Sequence, residues 1–216
     1  MEHVTVKDLV LGSGGVLVSG SEEAPVSHIR LDSRQVEPGD LFVPLLGERV
    51  DSHRFLPQVM DQGAAAVLTS QELTLPEGGA GCAVIRVEDT KKALQKIGSY
   101  LRDRLTLPLV GVTGSVGKTT TREMIAAALS ARFRVYKTPG NSNSQVGVPV
   151  TLSEITENDQ VGVIELGMSE PGEMTVIANI ARVDMAVITN VGVTHIEQLG
   201  SQENIYREKM TIQDGL

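Results

Sequence analysis

The chain has no tryptophan, few other aromatic residues and a single cysteine among its 216 residues. Aromatic residues make up only 3% and the formal net charge is −8, so the chain lacks the stacking surfaces and positive charge that nucleic-acid binding needs. Cys82 has no second cysteine with which to form an internal disulfide. No apolar run is long enough to cross a bilayer, and the start, MEHVTVKDLV, lacks the basic and then apolar pattern of a signal peptide. The composition predicts a cytoplasmic protein with no nucleic-acid partner and no membrane insertion.

The most informative stretch is LVGVTGSVGKTTTREMIAAAL, from Leu109 to Leu129. Its first residues form a short apolar run that is typical of a buried parallel strand, and glycines then interrupt the run. Further on, Ile125, Ala128 and Leu129 have the i, i+3, i+4 spacing of one buried helix face. The order of elements is therefore strand, glycine-rich loop, helix, with residues 117–119 at the junction.

That order predicts a phosphate-binding loop. Glycines let backbone N–H groups turn toward an anion, the helix start adds the positive end of a dipole, and Lys118 adds a mobile positive charge. Thr119 supplies a hydroxyl of the kind that Mg²⁺ prefers. The spacing departs from a Walker A loop, because Val112 stands where the first glycine would be. A glycine-rich connector is the alternative, but the flanking strand and helix favour a nucleotide phosphate site.

The pattern divides the chain into two α/β units. Residues 1–107 predict a small first unit, and residues 108–216 predict a second unit that begins at Pro108, directly before the phosphate-loop strand. In the second unit strands alternate with helices, which predicts a parallel sheet with crossover helices. The predicted strands are 109–112, 134–136, 161–166 and 185–189, and the predicted helices are 118–131 and 172–180.

Three features are predicted in the first unit. Val4 to Val10 indicates a strand or a short helix, and residues 76–81 indicate a loop. A helix is predicted from Thr90, as its N-cap, to Arg104. Its buried face consists of Leu94, Ile97 and Leu101.

Ligand-type residues follow the strands of the second unit. Glu165 closes a strand of apolar residues, where a carboxylate needs a positive partner such as Mg²⁺ on nucleotide phosphates; pairing with a lysine is the alternative. Taken alone, His195 is typical of a loop histidine held by a backbone carbonyl, and Lys209 of the solvated face of a helix. In the first unit, the polar run 32–34 is typical of residues that cap a turn.

Several blocks together resemble the Mur ligase family, the ATP-dependent amide ligases that build the peptidoglycan stem peptide. The resemblance covers the whole chain. Residues 111–120 resemble the family's own phosphate loop, which accounts for the glycine spacing. Residues 32–34, 38–42 and 47–53 resemble the amino-terminal domain that binds the UDP-linked substrate in two members.

Two further blocks separate those two members. Residues 138–143 with 147–149, and residues 165–168 followed by 171–173, resemble the member that joins D-alanyl-D-alanine to UDP-MurNAc-tripeptide. The alternative within the family is the ligase that adds the third residue. A non-catalytic nucleotide-binding module is a further alternative, and a phosphate-loop GTPase would need base-reading and switch motifs that the sequence does not contain.

The resemblance implies roles for individual residues. Lys118 would hold the β- and γ-phosphates of ATP, and Thr119 with Glu165 would bind a first Mg²⁺. His195 would bind a second Mg²⁺ together with Lys209, carbamylated into a carboxylate-like ligand. The other residues implied in ATP binding are Gly114, Ser115, Val116, Gly117, Thr120 and Asn141. The residues implied in substrate binding are Ser33, Arg34, Gly47, Asp51, His53 and Asn143.

The chain also departs from the family pattern. Ser52 stands where glycine is usual, residues 169–170 replace an Asn-His pair, and Thr211 replaces an acidic residue. Family members carry more central-domain strands and a third, carboxyl-terminal domain, which predicts that this chain is a fragment with an incomplete ATPase domain. We expect a monomer that binds nucleotide weakly and does not ligate unaided.

Overall fold

The computed structural model describes residues 1–47, 50–72 and 81–216, so Glu48, Arg49 and most of the predicted loop at 76–81 lie outside the described residues. The described chain divides into two compact units, Met1–Tyr100 and Leu101–Leu216. The division falls within a long helix, whereas the sequence pattern put the change of unit after that helix, at Pro108. The boundary at 107–108 stays a proposal.

The first unit is an α/β unit built on a mixed sheet. Its strands are β1 (Val16–Ser19), β2 (Ile29–Arg30), β3 (Leu41–Phe42), β4 (Ala66–Thr69) and β5 (Ala83–Arg86). Its helices are α1 (Val6–Ser13), α2 (Leu56–Asp61) and α3 (Thr90–Arg104, which enters the second unit), with 3-10 turns at Ser33–Gln35 and Ser52–Phe55. The strand order is β1-β5-β4-β3-β2, in which β1 is antiparallel to β5 and the other neighbours are parallel.

The ends of α1 and α3 test the predictions made for the first unit from local sequence. The segment around Val6 is a helix, and it stops where Gly14 adopts a left-handed conformation with φ 69°. Helix α3 has the predicted range and buries Leu94 and Ile97 completely. The prediction of Thr90 as its N-cap is wrong, because the Asp89 carboxylate accepts from the Lys92 N–H at 2.9 Å. The Thr90 hydroxyl instead donates to the carbonyl of Pro44 at 2.5 Å.

The second unit is the predicted parallel sheet with helices. Its strands are β6 (Leu109–Thr113), β7 (Val135–Lys137), β8 (Val161–Glu165) and β9 (Met185–Ile188), in the order β7-β8-β6-β9 with all neighbours parallel. Its helices are α4 (Lys118–Ser130), α5 (Gly147–Ser153), α6 (Glu173–Ala181), α7 (Ile196–Leu199) and α8 (Gln202–Met210), followed by a 3-10 turn at Thr211–Gly215. None of the helices in the described ranges is both long and apolar enough to span a membrane.

Every residue of β6 and β8 is buried, because the two strands lie inside the sheet and apolar clusters cover both of its faces. Helix α4 covers one face with Ala126, backed by the partly buried Ile125 and Leu129. The predicted member Ala128 is exposed instead. The buried position one turn from Ala126 belongs to Arg122, a charged residue that apolar periodicity does not detect.

The burial of β8 gives a stability prediction. We expect Ile164→Ala, which removes a fully buried side chain, to lower the free energy of unfolding by about 3 kcal/mol through lost burial and a residual cavity. Met185→Ala on the edge strand β9, where the side chain is 51% exposed, should cost less than about 0.5 kcal/mol. Urea denaturation of the two variants checks this. Equal losses would contradict the assignment of β8 as an inner strand.

Candidate functional site

The carboxyl ends of β6, β8 and β9 lie side by side in the parallel sheet, where open α/β sheets bind ligands. The glycine-rich loop leaves β6 at this edge, and Glu165 is the last residue of β8. A third segment, residues 189–195, leaves β9 beside them. The sheet therefore gathers at one edge the loops that carry the predicted nucleotide-site residues.

The glycine-rich loop has a backbone shape that requires glycine at two positions. Gly114 has φ 148°, and a Cβ atom there would lie 1.9 Å from Oγ1 of Thr189. Gly117 has φ 82°, and the space beside it is open. The Ser115 N–H donates to the carbonyl of Asn190 at 3.1 Å, so the segment after β9 holds the loop in place.

Helix α4 begins directly after this loop, and its first backbone N–H groups point toward the loop without a partner in the helix. Within the described residues no side chain caps its N-terminus, and the first helical hydrogen bond runs from the Thr121 N–H to the Gly117 carbonyl at 2.9 Å. The amides of residues 118–120 therefore have no acceptor within the helix. The Lys118 amine donates to the Gly114 carbonyl at 2.9 Å, which keeps this cation at the loop. Free amides, the helix dipole and a lysine make an anion site.

Glu165 is the buried carboxylate beside this anion site, with 2% of its surface exposed. Its Oε2 accepts from the Thr119 hydroxyl at 3.0 Å and from Nη1 of Arg122 at 3.2 Å. Its Oε1 accepts from the Asn143 side-chain amide at 2.8 Å. Its backbone N–H donates to Oγ1 of Thr138 at 2.9 Å, so hydrogen bonds fix both the backbone and the carboxylate of Glu165.

The Thr119–Glu165 pair fits the first predicted magnesium ion. A hydroxyl and a carboxylate oxygen 3.0 Å apart are hard oxygen donors, and they lie where phosphates would supply the remaining ligands. Among the described residues, no group of three or more His, Cys, Asp or Glu side chains could hold a metal by itself. The donor set is thus suited to a cation that arrives with a nucleotide.

The second predicted metal pair is His195 with Lys209. His195 has φ 64° and begins α7, where its carbonyl accepts from the N–H groups of Gln198 and Leu199. No hydrogen bond within the described part of the chain joins His195 or Lys209 to Glu165. The structure therefore brings Thr119 and Glu165 together, whereas the pairing of His195 with Lys209 remains a prediction.

Lys209 is not on a solvated helix face, as its local sequence suggested, because it is 2% exposed. Burial, together with the nearby charge of Lys118, lowers the pKa of Lys209 to about 8. Helix α8 is held there by Glu208, whose carboxylate accepts from the N–H groups of Gly172 and Met174 at the start of α6. Tertiary packing, which local periodicity does not show, decides the environment of Lys209.

Arg122 and Thr138 touch Glu165 but were not predicted as site residues. Arg122 lies three residues after Thr119 on α4, so the i, i+3 spacing that puts both on one helix face was a usable signal. Thr138 lies outside any regular periodicity. Asn141, predicted at the phosphates, is exposed, and its carbonyl accepts from the Asn143 N–H at 2.8 Å.

The first unit places Asp51 and His53 in one hydrogen-bonded group. Asp51 Oδ1 accepts from the backbone N–H of His53 at 2.9 Å and lies 2.6 Å from its Nδ1, which lowers the pKa of Asp51. The His53 Nε2 accepts from the Ser70 N–H at 3.2 Å, so the ring proton is assigned to Nδ1. Asp51 Oδ2 accepts from the side-chain amide of Gln71 at 2.6 Å. The predicted substrate segment is thereby fixed to the end of β4.

Two of the remaining predicted substrate residues, Ser33 and Arg34, lie in a 3-10 turn. Arg34 is 85% exposed and pairs with Asp32 at 2.6 Å, and this pairing lowers the pKa of Asp32 to about 2. Asp32 also accepts from the Arg34 N–H, so the run caps a 3-10 turn as its composition suggested. Ser33 is buried, and the Gly47 N–H donates to the Val50 carbonyl at 3.0 Å.

Comparison with known sequences matches two segments of the chain. Residues 25–101 match the family described as "Mur ligase family, catalytic domain", and residues 112–216 match "Mur ligase middle domain". Over 213 residues, 98% of the chain, the sequence is 42% identical to UDP-N-acetylmuramoyl-tripeptide--D-alanyl-D-alanine ligase of Bacillus subtilis (strain 168). The chain covers 46% of that relative, and so spans about half the length of the curated relatives it matches.

Solved structures have the same fold. MurF from Acinetobacter baumannii superposes with a TM-score of 0.90 at 33% identity, over 98% of this chain and 46% of that one. MurF ligase from Thermotoga maritima in complex with ADP gives a TM-score of 0.79 at 33% identity, over 88% of this chain and 43% of that one. The predicted fold class, an α/β substrate-domain fold followed by a parallel-sheet phosphate-loop domain, is thereby confirmed.

The burial of Lys209 predicts a pH-dependent cost in stability. Because its folded-state pKa of about 8 is below the ordinary value of 10.5, the folded state binds fewer protons than the unfolded state between those values. The contribution of Lys209 to stability should therefore rise with pH across this interval. Lys209→Met should raise the free energy of unfolding at pH 7 by on the order of 2 kcal/mol, and the gain should shrink as the pH approaches 10.5.

Urea denaturation in metal-free, nucleotide-free and CO₂-depleted buffer measures this effect. Lys91→Met, at an exposed position of α3, is the matched control and should change stability little at any pH. If Lys209→Met is less stable than the wild type at pH 7, burial of the Lys209 amine does not destabilise the folded protein, and the prediction is wrong.

Proposed function

Since the chain belongs to the Mur ligase family, we propose that it is the substrate-binding and nucleotide-binding part of an ATP-dependent amide ligase of peptidoglycan precursor synthesis. The reaction joins D-alanyl-D-alanine to UDP-MurNAc-tripeptide. The observation that carries the proposal is the contact between the exposed Thr119 hydroxyl and the buried Glu165 carboxylate, 3.0 Å apart, beside the uncapped start of α4. Because the chain covers less than half of its relatives, the complete reaction is proposed for the whole protein.

The nucleotide site would act through positioning and charge. Lys118 and the free amides at the start of α4 would hold the β- and γ-phosphates of ATP, and Thr119 with Glu165 would hold Mg²⁺. The ion would neutralise charge on the transferring phosphoryl group. The other loop residues, with Asn141, would line the nucleotide; they are Gly114, Ser115, Val116, Gly117 and Thr120.

The substrate carboxylate needs activation before an amine can attack it. Phosphoryl transfer from ATP gives an acyl phosphate, and the dipeptide amine then displaces phosphate, so no protein nucleophile is required. Asn143, which donates to Glu165 in the present structure, would lie near the acyl group. In the first unit, Ser33, Arg34, Gly47, Asp51 and His53 would bind the UDP-linked substrate.

Lys209 would act as a carbamate that holds a second Mg²⁺ with His195. A carbamate forms when a neutral amine attacks CO₂ and loses a proton, and the buried Lys209 meets the first condition better than an exposed lysine does. This role would account for a buried lysine whose charge is otherwise costly. We further infer a cytoplasmic monomer that acts on these small molecules.

The ligase that adds the third residue is the alternative substrate assignment. The names of the similar ligases favour the dipeptide ligase over it. A non-catalytic nucleotide-binding module is the other alternative, and the retained Glu165, His195 and Lys209 speak against it.

The nucleotide site predicts metal-dependent binding by this chain. Titration with ADP should give a Kd that falls when Mg²⁺ is added, because the ion joins the phosphates to Thr119 and Glu165. Lys118→Ala should weaken binding by about tenfold or more through loss of the phosphate contact. Lys91→Ala, at an exposed lysine of the first unit, should bind as the wild type does. If the chain is folded and its Kd for ADP changes neither with Mg²⁺ nor with Lys118→Ala, the proposed nucleotide site is refuted.

The substrate assignment is tested in the whole protein supplied with ATP and UDP-MurNAc-tripeptide. D-alanyl-D-alanine should stimulate phosphate release, because its amine consumes the acyl phosphate. Lysine or diaminopimelate should not do so. Stimulation by either of these amino acids with UDP-MurNAc-dipeptide, and none by the dipeptide D-alanyl-D-alanine, would assign the whole protein as the third-residue ligase.

A further inference from the structure

Arg122 is a buried cation to which the proposed reaction gives no role. It lies on α4, three residues after Thr119, and is 4% exposed. Its Nη1 donates to Oε2 of Glu165 at 3.2 Å and to the Gly140 carbonyl at 3.0 Å. Removing a guanidinium from water is expensive, so the contacts that compensate this charge decide what it can do.

The oxygen that Arg122 contacts is the one a metal ion would need. Oε2 of Glu165 also accepts from the Thr119 hydroxyl, whereas Oε1 accepts from Asn143. A cation that joins Thr119 to Glu165 must therefore share or take over the oxygen that Arg122 occupies. Two cations at one oxygen repel each other strongly in a buried site.

Arg122 has other acceptors to which it can stay bound. Glu123 Oε1 accepts from its Nε at 3.2 Å and from its Nη2 at 2.7 Å, and the Gly140 carbonyl accepts from Nη1. Glu123 is 43% exposed and also pairs with Lys137 through Oε2. Arg122 can thus give up Glu165 without becoming an unpaired buried charge.

We propose that Arg122 is a placeholder for the metal ion. It neutralises Glu165 while no metal is bound, and it yields Oε2 when the metal–nucleotide complex arrives, remaining on Glu123 and Gly140. Arg122 is accordingly a positioning residue that acts through Glu165. The inference rests on the proposed function, since it requires a divalent cation at Thr119 and Glu165.

The test is a titration of the folded chain with Mn²⁺ in the presence of ADP, with free Mn²⁺ measured by electron paramagnetic resonance. Arg122→Met removes the competing cation, so Mn²⁺ should bind about tenfold more tightly. The same variant should melt at a lower temperature than the wild type without metal, because Glu165 loses its counter-charge. Lys137→Met is the control: it removes a cation that does not contact Glu165, and it should change the Mn²⁺ affinity by less than about twofold.

Glu123→Ala gives an independent prediction in the opposite direction. Without this partner Arg122 depends more on Glu165, so Mn²⁺ should bind about threefold more weakly. Glu123 is partly exposed, so this variant decides the question if Arg122→Met does not fold.

The outcomes separate this inference from the proposed function. A wild-type chain with no ADP-dependent Mn²⁺ binding would overturn the proposed function and the placeholder role with it. Wild-type binding that Arg122→Met leaves unchanged or weakens would overturn the placeholder role alone. A gain with Lys137→Met equal to that with Arg122→Met would also overturn it, because the effect would then be one of net charge.

Discussion

The second unit depends on a carboxylate that is buried at the end of an inner strand. Glu165 is 2% exposed, and a charged group in that position is stable only when several donors converge on it. The carboxylate accepts from Thr119 and Arg122 on α4 and from Asn143 in the segment after β7, where Thr138 in turn accepts from the Glu165 backbone N–H. The need to satisfy one buried group thus fixes the phosphate-loop helix and a neighbouring loop against the same strand end.

The features that the sequence predicted well are those set by local chemistry. The order of strand, glycine-rich loop and helix follows from backbone requirements within a few residues, and the parallel sheet follows from regular alternation. Burial was predicted poorly where it depends on other elements. Lys209 belongs to a polar helix whose position is set by Glu208 contacting the start of α6, and nothing near Lys209 in sequence indicates this. Apolar periodicity does not detect a buried charged residue such as Arg122, and the N-cap of α3 is Asp89 rather than the neighbouring Thr90.

Two cations in the second unit are held where their charge is costly. Lys209 has a lowered pKa, and Arg122 is buried against Glu165. Residues selected only for stability would be expected to be apolar at such positions. Both cations lie close to nucleotide-site residues, which indicates that they are kept for binding or chemistry at the expense of stability. The apolar clusters on the two faces of the sheet supply the compensating free energy.

The backbone at Gly114 restricts how this site can change over generations. A side chain there would collide with Thr189 and would also require a φ angle of 148° that residues with a Cβ atom rarely adopt. A compensating substitution that shortens residue 189 would remove the collision but not the backbone penalty. A substitution of Gly114 therefore cannot be compensated by one change elsewhere. Replacing this glycine in evolution requires a loop with a different backbone conformation.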